Sequence, residues 1–233
     1  MLFPRRLGFP HMAVSVDHRH GRAALATIHR SIPLRRRAVY GLLRSPPIDD
    51  LSDFTVLVVC TGNIARSPMG EALLRAHLTA RGSSARVHSA GTLAWDGPAT
   101  DAAVRAMAER GLDLSAHHSQ PLTAALVGDA DLILAMTRSH VWGVQAFDPD
   151  AAARTFLVPE LARLGTRIGP RRADETVRAW AGRAAAERDG ATPGRGAEEV
   201  ADPYGEPLAV YETTAARLDT ALSVIAELLV PGP

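Results

Sequence analysis

From Phe54 onward, the apolar positions of the chain follow two alternating patterns. Short β-branched-rich runs predict strands near residues 54–60, 85–89, 131–136 and 154–158. Helical patterns lie near residues 68–81, 99–111, 122–128, 138–147 and 207–229. Strands that alternate with helices favour the α/β class, so we expect a doubly wound, four-stranded parallel sheet.

Two stretches depart from this alternation. Residues 1–53 are basic and rich in proline, and we predict a flexible N-terminal extension without a secretory signal, because no apolar run follows Arg5 and Arg6. Residues 165–200 interrupt the pattern with an alanine-rich helical segment and a glycine- and proline-rich connector. We interpret this second stretch as a solvated loop insertion in a domain that spans residues 54–233, and the alternative is a segment that shapes access to a functional site.

The net charge of +1 hides an asymmetry between the extension and the domain. The first 53 residues carry a charge of +5, and the remainder carries −4. The domain is therefore not a general polyanion binder, and we expect no nucleic-acid partner. No run reaches the ~18 apolar residues of a membrane span. The chain has a single cysteine, which excludes an internal disulfide framework and fits a reducing cytoplasm.

That cysteine, Cys60, stands where the first strand should end and the first long helix should begin. Five residues separate it from Arg66, whose planar guanidinium can bind two phosphate oxygens at once. Gly62 permits a tight loop with inward-facing amides, and a helix N-terminus attracts anions. The same positive field favours the nucleophilic thiolate. Ser67 suits the helix N-cap and can hydrogen-bond the sulfur. The run therefore predicts a phosphate site with a nucleophile.

Such a nucleophile needs a proton donor for the leaving oxygen. Asp202 is our candidate, because it precedes Pro203 and is therefore biased away from helical backbone towards a projecting loop. It would protonate the leaving group and then act as general base on water.

These features together resemble the low-molecular-weight protein tyrosine phosphatases. The resemblance rests on Cys60 to Ser67, on Asp202-Pro203-Tyr204-Gly205, and on two motifs between them, Val87-His88-Ser89-Ala90-Gly91-Thr92 and Asp131-Leu132-Ile133-Leu134-Ala135-Met136-Thr137. It covers roughly residues 54–229, with the insertion inside it. It implies a metal-independent hydrolase without a cofactor, which acts on phosphorylated proteins through a phosphocysteine. The oligomeric state is left open.

The resemblance also assigns supporting residues. Asn63, Ser89 and His117 would brace the phosphate loop, while Trp95 and Tyr204 would line its mouth and stack on an aromatic ring. The remaining phosphate-binding and supporting residues it implies are Thr61, Gly62, Ile64, Ala65 and Ser67. Many family members carry a second cysteine where this chain has Ala65.

Other activities fit less well. An arsenate reductase of this fold needs further cysteines, and an inactive phosphate-binding regulator would not need the set of Cys60, Arg66 and Asp202. The protein-arginine-phosphatase branch has similar motifs but typically carries threonine where this chain has Ile64. We therefore predict phosphotyrosine as the substrate, with phosphoarginine as the alternative.

Overall fold

The computed structural model describes residues 54–190 and 193–232, which contain one sheet of four parallel strands. The order in the sheet is β2–β1–β3–β4, with bounds β1 Thr55–Cys60, β2 Arg86–Gly91, β3 Leu132–Ala135 and β4 Thr155–Leu157. The predicted α/β fold with a four-stranded parallel sheet is confirmed. The strand order leaves the carboxyl ends of β1 and its two neighbours at one edge, where ligands of such sheets bind.

Seven α-helices connect and cover the strands within the described residues. They are α1 Arg66–Ala80, α2 Asp101–Ala108, α3 Ala124–Asp129, α4 Arg138–Gln145, α5 Val158–Ile168, α6 Val177–Ala186 and α7 Leu208–Leu229. The sequence patterns did not predict α5. The strand predicted over residues 154–158 merges with its first turn, because β4 has only three residues and Val158 already belongs to the helix.

The sheet has an apolar layer on both faces, as a doubly wound fold requires. Alternate residues of β1 point to opposite sides. Val56 and Val58 join the large cluster that contains α1, α5 and α7, whereas Leu57 and Val59 join a smaller cluster that contains residues of α3 and α4. Burial on both faces explains why β1 reads as a continuous apolar run.

The stretch expected to be a solvated loop is packed into the domain, so that interpretation was wrong. Trp180 of α6 is fully buried, and its indole N–H donates to the Gly169 carbonyl over 3.0 Å. Beyond the helix, the Arg188 guanidinium pairs with the buried Glu160 carboxylate over 2.9 Å and lies 4.3 Å from the centroid of the Phe156 ring. α6 packs against α5, against β3 and against the 3-10 helix Pro149–Arg154 that precedes β4.

The predicted N-terminal extension, residues 1–53, lies outside the described residues, so its flexibility stays a prediction. In residues 54–190 and 193–232, no helix combines the length and the apolar character that a bilayer crossing demands. The same residues contain no cluster of three or more histidine, cysteine or acidic side chains that could hold a metal ion.

Candidate active site

The phosphate loop, residues 60–67, runs from the last residue of β1 into the first turn of α1. Its backbone rests on the end of β2. The N–H of Thr92 donates to the Cys60 carbonyl and that of Leu93 to the Thr61 carbonyl, each over 2.9 Å. A Cβ atom at Gly91 would lie 2.7 Å from the Thr61 oxygen, so only glycine admits this close approach.

Asn63 holds the loop in shape from inside. Its φ of 55° is left-handed, a conformation that asparagine tolerates better than most residues. The side-chain N–H groups donate to Ser67 Oγ at 2.9 Å and Ser89 Oγ at 2.8 Å, and its Oδ1 accepts from the Gln120 amide at 2.9 Å. His117 Nε2 lies 2.7 Å from the Asn63 carbonyl oxygen. Asn63, Ser89 and His117 thus meet where the resemblance expected them, whereas Gln120 was missed.

The Cys60 sulfur is buried at the base of the loop. Ser67 Oγ lies 2.9 Å from Sγ, and the Asn63 amide N–H donates to Sγ over 3.3 Å. The expected contact between Ser67 and the sulfur is therefore present, but Ser67 is not the N-cap. The helix already begins at Arg66, and Ala65 occupies the cap position without a side-chain bond. No side-chain cap therefore occupies the free backbone N–H groups at the start of α1, and these groups remain available to an anion in the pocket.

Arg66 crosses beneath the pocket with only 4% of its side chain exposed. Its Nη1 donates to the Val200 carbonyl over 3.2 Å, and its Nη2 donates to Thr61 Oγ1 over 3.3 Å and pairs with Asp202 Oδ2. Its Nε is buried and has no hydrogen-bond partner among the described residues. The Nε–Nη2 edge of a guanidinium is the fork that binds two oxygens, so this edge can receive an oxyanion.

The acid loop, residues 201–206, brings Asp202 to the pocket although 142 positions separate it from Cys60. The segment before it is anchored, since the Val200 amide donates to the Met136 carbonyl over 2.8 Å. Beyond Val200 the loop is open. The Asp202 side chain is 46% exposed, and its Oδ1 accepts from the Tyr204 amide over 3.2 Å.

A single pocket of about 170 Å³ joins both loops. Leu93, Trp95 and Tyr204 form its rim, and all three are exposed. The remaining lining residues are Cys60, Thr61, Gly62, Ile64, Ala65, Arg66 and Asp202. Trp95 and Tyr204 were predicted at this mouth. Leu93 was not, although an apolar residue just after the end of β2 was a usable signal.

His140, at the start of α4, is a further residue that the sequence patterns did not point to. Its Nε2 lies 2.9 Å from Thr61 Oγ1, and its Nδ1 accepts from the Thr137 amide over 3.1 Å. Burial, and then the charge of Arg66, lower the pKa of His140 to about 4. The ring is therefore neutral at neutral pH. Its position just after β3, at the carboxyl edge of the sheet, was the only hint in the sequence.

Comparison with known proteins places this geometry in a family. The family model described as low molecular weight phosphotyrosine protein phosphatase matches residues 55–161. The chain is 45% identical over 108 residues to the probable low molecular weight protein-tyrosine-phosphatase EpsP of Ralstonia solanacearum, which is 46% of this chain and 72% of that protein. It is 46% identical over 86 residues to the protein-arginine-phosphatase of Bacillus subtilis, 36% of this chain and 57% of that protein.

A solved structure agrees with these relatives. The low molecular weight protein tyrosine phosphatase from T. tengcongensis superposes with a TM-score of 0.58 at 32% identity, covering 76% of this chain and 99% of that one. The residues that match the family model contain the phosphate loop. The chain belongs to the low molecular weight protein tyrosine phosphatase family.

Proposed function

We propose that the protein hydrolyses phosphotyrosine in phosphorylated proteins through a phosphocysteine intermediate. The observation that carries this proposal is the pocket itself. It places the Cys60 sulfur, the buried Arg66 fork and the exposed Asp202 carboxyl around one small cavity. This is the set that phosphoryl transfer to a thiolate requires: a nucleophile, a charge stabiliser and an acid.

In the first step the Cys60 thiolate attacks phosphorus in line with the leaving oxygen. The sulfur–phosphorus bond forms as the bond from phosphorus to the tyrosine oxygen breaks, and Asp202 gives its proton to that oxygen. The amides of residues 61–66 and the Arg66 guanidinium bind the equatorial oxygens. The Ser67 hydroxyl, 2.9 Å from Sγ, stabilises the sulfur as it becomes the leaving group of the next step.

In the second step Asp202, now a carboxylate, takes a proton from water. The water oxygen bonds to phosphorus, the sulfur–phosphorus bond breaks, and the thiolate and inorganic phosphate are released. Phosphoryl oxygens and Asp202 compete for the same Nη2 group of Arg66. Substrate binding therefore frees the Asp202 carboxylate from Arg66, and the freed group takes up a proton from solvent, which it then gives to the leaving oxygen.

The rim supports an aromatic substrate. The side chains of Trp95, Tyr204 and Leu93 are exposed around the pocket and offer ring faces and an apolar edge for a tyrosine ring. The charged groups of the pocket, the Arg66 guanidinium and the Asp202 carboxyl, lie at its floor and at one wall. We infer that the phosphoryl group enters deepest and that the ring of the phosphotyrosine is held by the rim.

Turnover of p-nitrophenyl phosphate between pH 5 and 7 tests the enzyme. We expect the wild type to be active, and we expect Cys60→Ser to retain the fold and phosphate binding but to lose turnover. A folded wild type without turnover would contradict the proposal and would favour a phosphate-binding regulator. Trapping of a phosphorylated Cys60 by rapid acid quench and mass spectrometry tests the intermediate itself.

The relative from Bacillus subtilis keeps phosphoarginine as a second candidate. Ile64 decides against it in our proposal, because this apolar side chain lines the pocket and offers no hydroxyl to a guanidino group or to the attacking water. Peptides that carry either phosphoresidue should show a preference for phosphotyrosine in the wild type. Ile64→Thr should shift that preference towards phosphoarginine, and an unchanged ratio would remove Ile64 from the argument.

We also propose that the protein acts in the cytoplasm. The mechanism needs a reduced Cys60, which is the only cysteine of the chain, and a reducing compartment keeps thiols in that form. Fractionation of cells that express the full chain, followed by alkylation of the free thiol, should find it reduced in the cytoplasmic fraction. A periplasmic or membrane-bound protein would contradict the assignment.

A further inference from the structure

Thr61 connects the phosphate loop to α4 through one oxygen atom. Its Oγ1 lies 2.9 Å from His140 Nε2 and accepts from Arg66 Nη2 over 3.3 Å. The same threonine lines the pocket next to Cys60. His140, in contrast, is 3% exposed and does not line the pocket. Any effect of His140 on the reaction must therefore pass through Thr61 or Arg66.

The hydrogen bonds decide which nitrogen of His140 carries the proton. A backbone N–H is only a donor, so Nδ1, which receives the Thr137 amide at 3.1 Å, acts as the acceptor. The neutral ring then has its proton on Nε2 and donates it to Thr61 Oγ1. The low pKa of about 4, caused by burial and by Arg66, keeps the ring in this form at neutral pH.

The hydrogen-bonding roles of the Thr61 hydroxyl follow from that assignment. A guanidinium can only donate, so Arg66 and His140 both donate to this oxygen, and its two lone pairs are both used. The hydroxyl proton of Thr61 is needed by neither partner. It remains available to an acceptor in the pocket, where phosphoryl oxygens are the negatively charged groups to be stabilised.

We propose that His140 is a positioning residue of the phosphatase reaction: it orients the Thr61 hydroxyl so that Thr61 holds the Arg66 fork and donates its own proton to the phosphoryl group. This inference rests on the proposed function. His140 also closes the first turn of α4, because its Nδ1 lies 2.9 Å from the Thr137 hydroxyl as well. A helix-closing role alone would affect stability and not catalysis, and this difference can be measured.

The experiment compares five variants with the wild type: Thr61→Val, Thr61→Ser, His140→Ala, His140→Gln and the double variant Thr61→Val/His140→Ala. The readouts are kcat and KM for p-nitrophenyl phosphate and the affinity for vanadate, a mimic of the transition state, and for inorganic phosphate. Because a misplaced charge stabiliser acts mainly on the transition state, Thr61→Val and His140→Ala should each lower kcat about tenfold. Vanadate affinity should fall in parallel, while KM and phosphate affinity change less than about threefold.

The remaining variants report on the route of the effect. Thr61→Ser should keep most of the activity, because it keeps the hydroxyl. His140→Gln should recover part of it, because an amide N–H can replace the Nε2 donor. In the Thr61→Val background, His140→Ala should cost less than a further factor of about two. His77→Gln is the matched control, since His77 pairs with Asp219 between α1 and α7 and should leave kcat unchanged.

Several outcomes would overturn the inference. Losses that multiply to about 100-fold in the double variant would mean that His140 acts independently of Thr61. A fully active Thr61→Val, or a His140→Ala with normal kcat and a lowered melting temperature, would leave His140 only its role in α4. If His140→Ala does not fold, the contrast between Thr61→Val and Thr61→Ser decides in the same way.

The proposed function fails separately from this inference. A wild type without turnover would end the phosphatase proposal, and vanadate binding by the same variants would then still test the network. Turnover by the wild type with unaffected Thr61 and His140 variants would end only the positioning role.

Discussion

The phosphate loop and the acid loop meet at one pocket but are built in opposite ways. In the phosphate loop, Cys60, Asn63 and Ser67 are at most 2% exposed, and their side chains hydrogen-bond one another. In the acid loop, the Asp202 side chain and Tyr204 are 46% and 60% exposed, and the Asp202 carboxylate contacts the rest of the site through Arg66. One loop is fixed by the core, and the other presents an exposed carboxylate that reaches the site through an ion pair with Arg66.

The difference follows from what each loop must do. Groups that stabilise charge are most effective when they are already oriented, because no reorganisation is then needed during the reaction. A proton donor must instead leave its resting partner and reach the oxygen of a bulky substrate. Orientation and exposure are thus divided between two segments of one site.

The largest effect should come from the point where the two loops meet. We expect Arg66→Lys to lower kcat about 10³-fold, because an ammonium cannot bind two oxygens at once and cannot hold Thr61, Val200 and Asp202 together. Steady-state kinetics with p-nitrophenyl phosphate measure this. Arg178→Lys, which changes an exposed pair with Asp131, is the control that should keep full activity. Comparable activity of Arg66→Lys would show that the buried fork is dispensable.

Asp202→Asn changes the acid loop alone. We expect about a 10²-fold loss of kcat on a phosphotyrosine peptide, because the amide cannot donate a proton to the leaving oxygen. The loss should be smaller with p-nitrophenyl phosphate, whose leaving group departs without full protonation. Inorganic phosphate should also bind more tightly, since the carboxylate no longer competes for Arg66. Equal losses on both substrates would contradict the role of Asp202 as the acid.

Asn63→Ala tests the rigidity of the phosphate loop. It removes three side-chain hydrogen bonds and places alanine at a φ of 55°, so we expect the free energy of unfolding to fall by about 3 kcal/mol. Asn63→Gly should be about 1 kcal/mol more stable than Asn63→Ala, because glycine accepts that backbone. Tyr204→Ala in the acid loop should change stability by less than about 0.5 kcal/mol. Urea unfolding measures all three, and similar losses of stability for variants of both loops would contradict this expectation.

The smallest effect concerns pH. The pKa of His140 lies near 4 in the folded protein, below its ordinary value of 6.5, so the unfolded chain binds the proton first. Its contribution to stability is complete above pH 6.5 and is lost as the pH falls towards 4. Between pH 7 and 5 the wild type should therefore lose about 2 kcal/mol that His140→Gln does not lose. Urea unfolding of both proteins at the two pH values tests this, and parallel losses would contradict it.

The sequence predicted what depends on neighbouring residues. Cys60 to Ser67 show their chemistry because the nucleophile, the glycine and the arginine stand in one short run, and the alternation of strands and helices indicates where that run lies in the sheet. Gln120 and His140 could not be found in this way. Each meets the loop across more than 50 positions, and neither type of residue is unusual in its own segment.

The same reason explains the errors in the fold. The burial of α6 depends on the packing of Trp180 against α5 and on the ion pair between Arg188 and Glu160. Composition alone contains neither contact and therefore predicts a polar connector. Tertiary contacts, not local preference, decide whether an alanine-rich helix lies in solvent or in the core.

Gly91 does not line the pocket, yet a Cβ atom at this position would collide with the Thr61 carbonyl oxygen, which restricts what mutation can place there. On the same strand, the side chain of His88 is exposed. A deep mutational scan of β2 should therefore show that position 91 is as intolerant as Cys60 itself, whereas position 88, three residues away, is tolerant. In relatives of which only the sequence is known, an invariant glycine at position 91 beside a variable position 88 would then indicate that the phosphate loop packs against β2 in the same way.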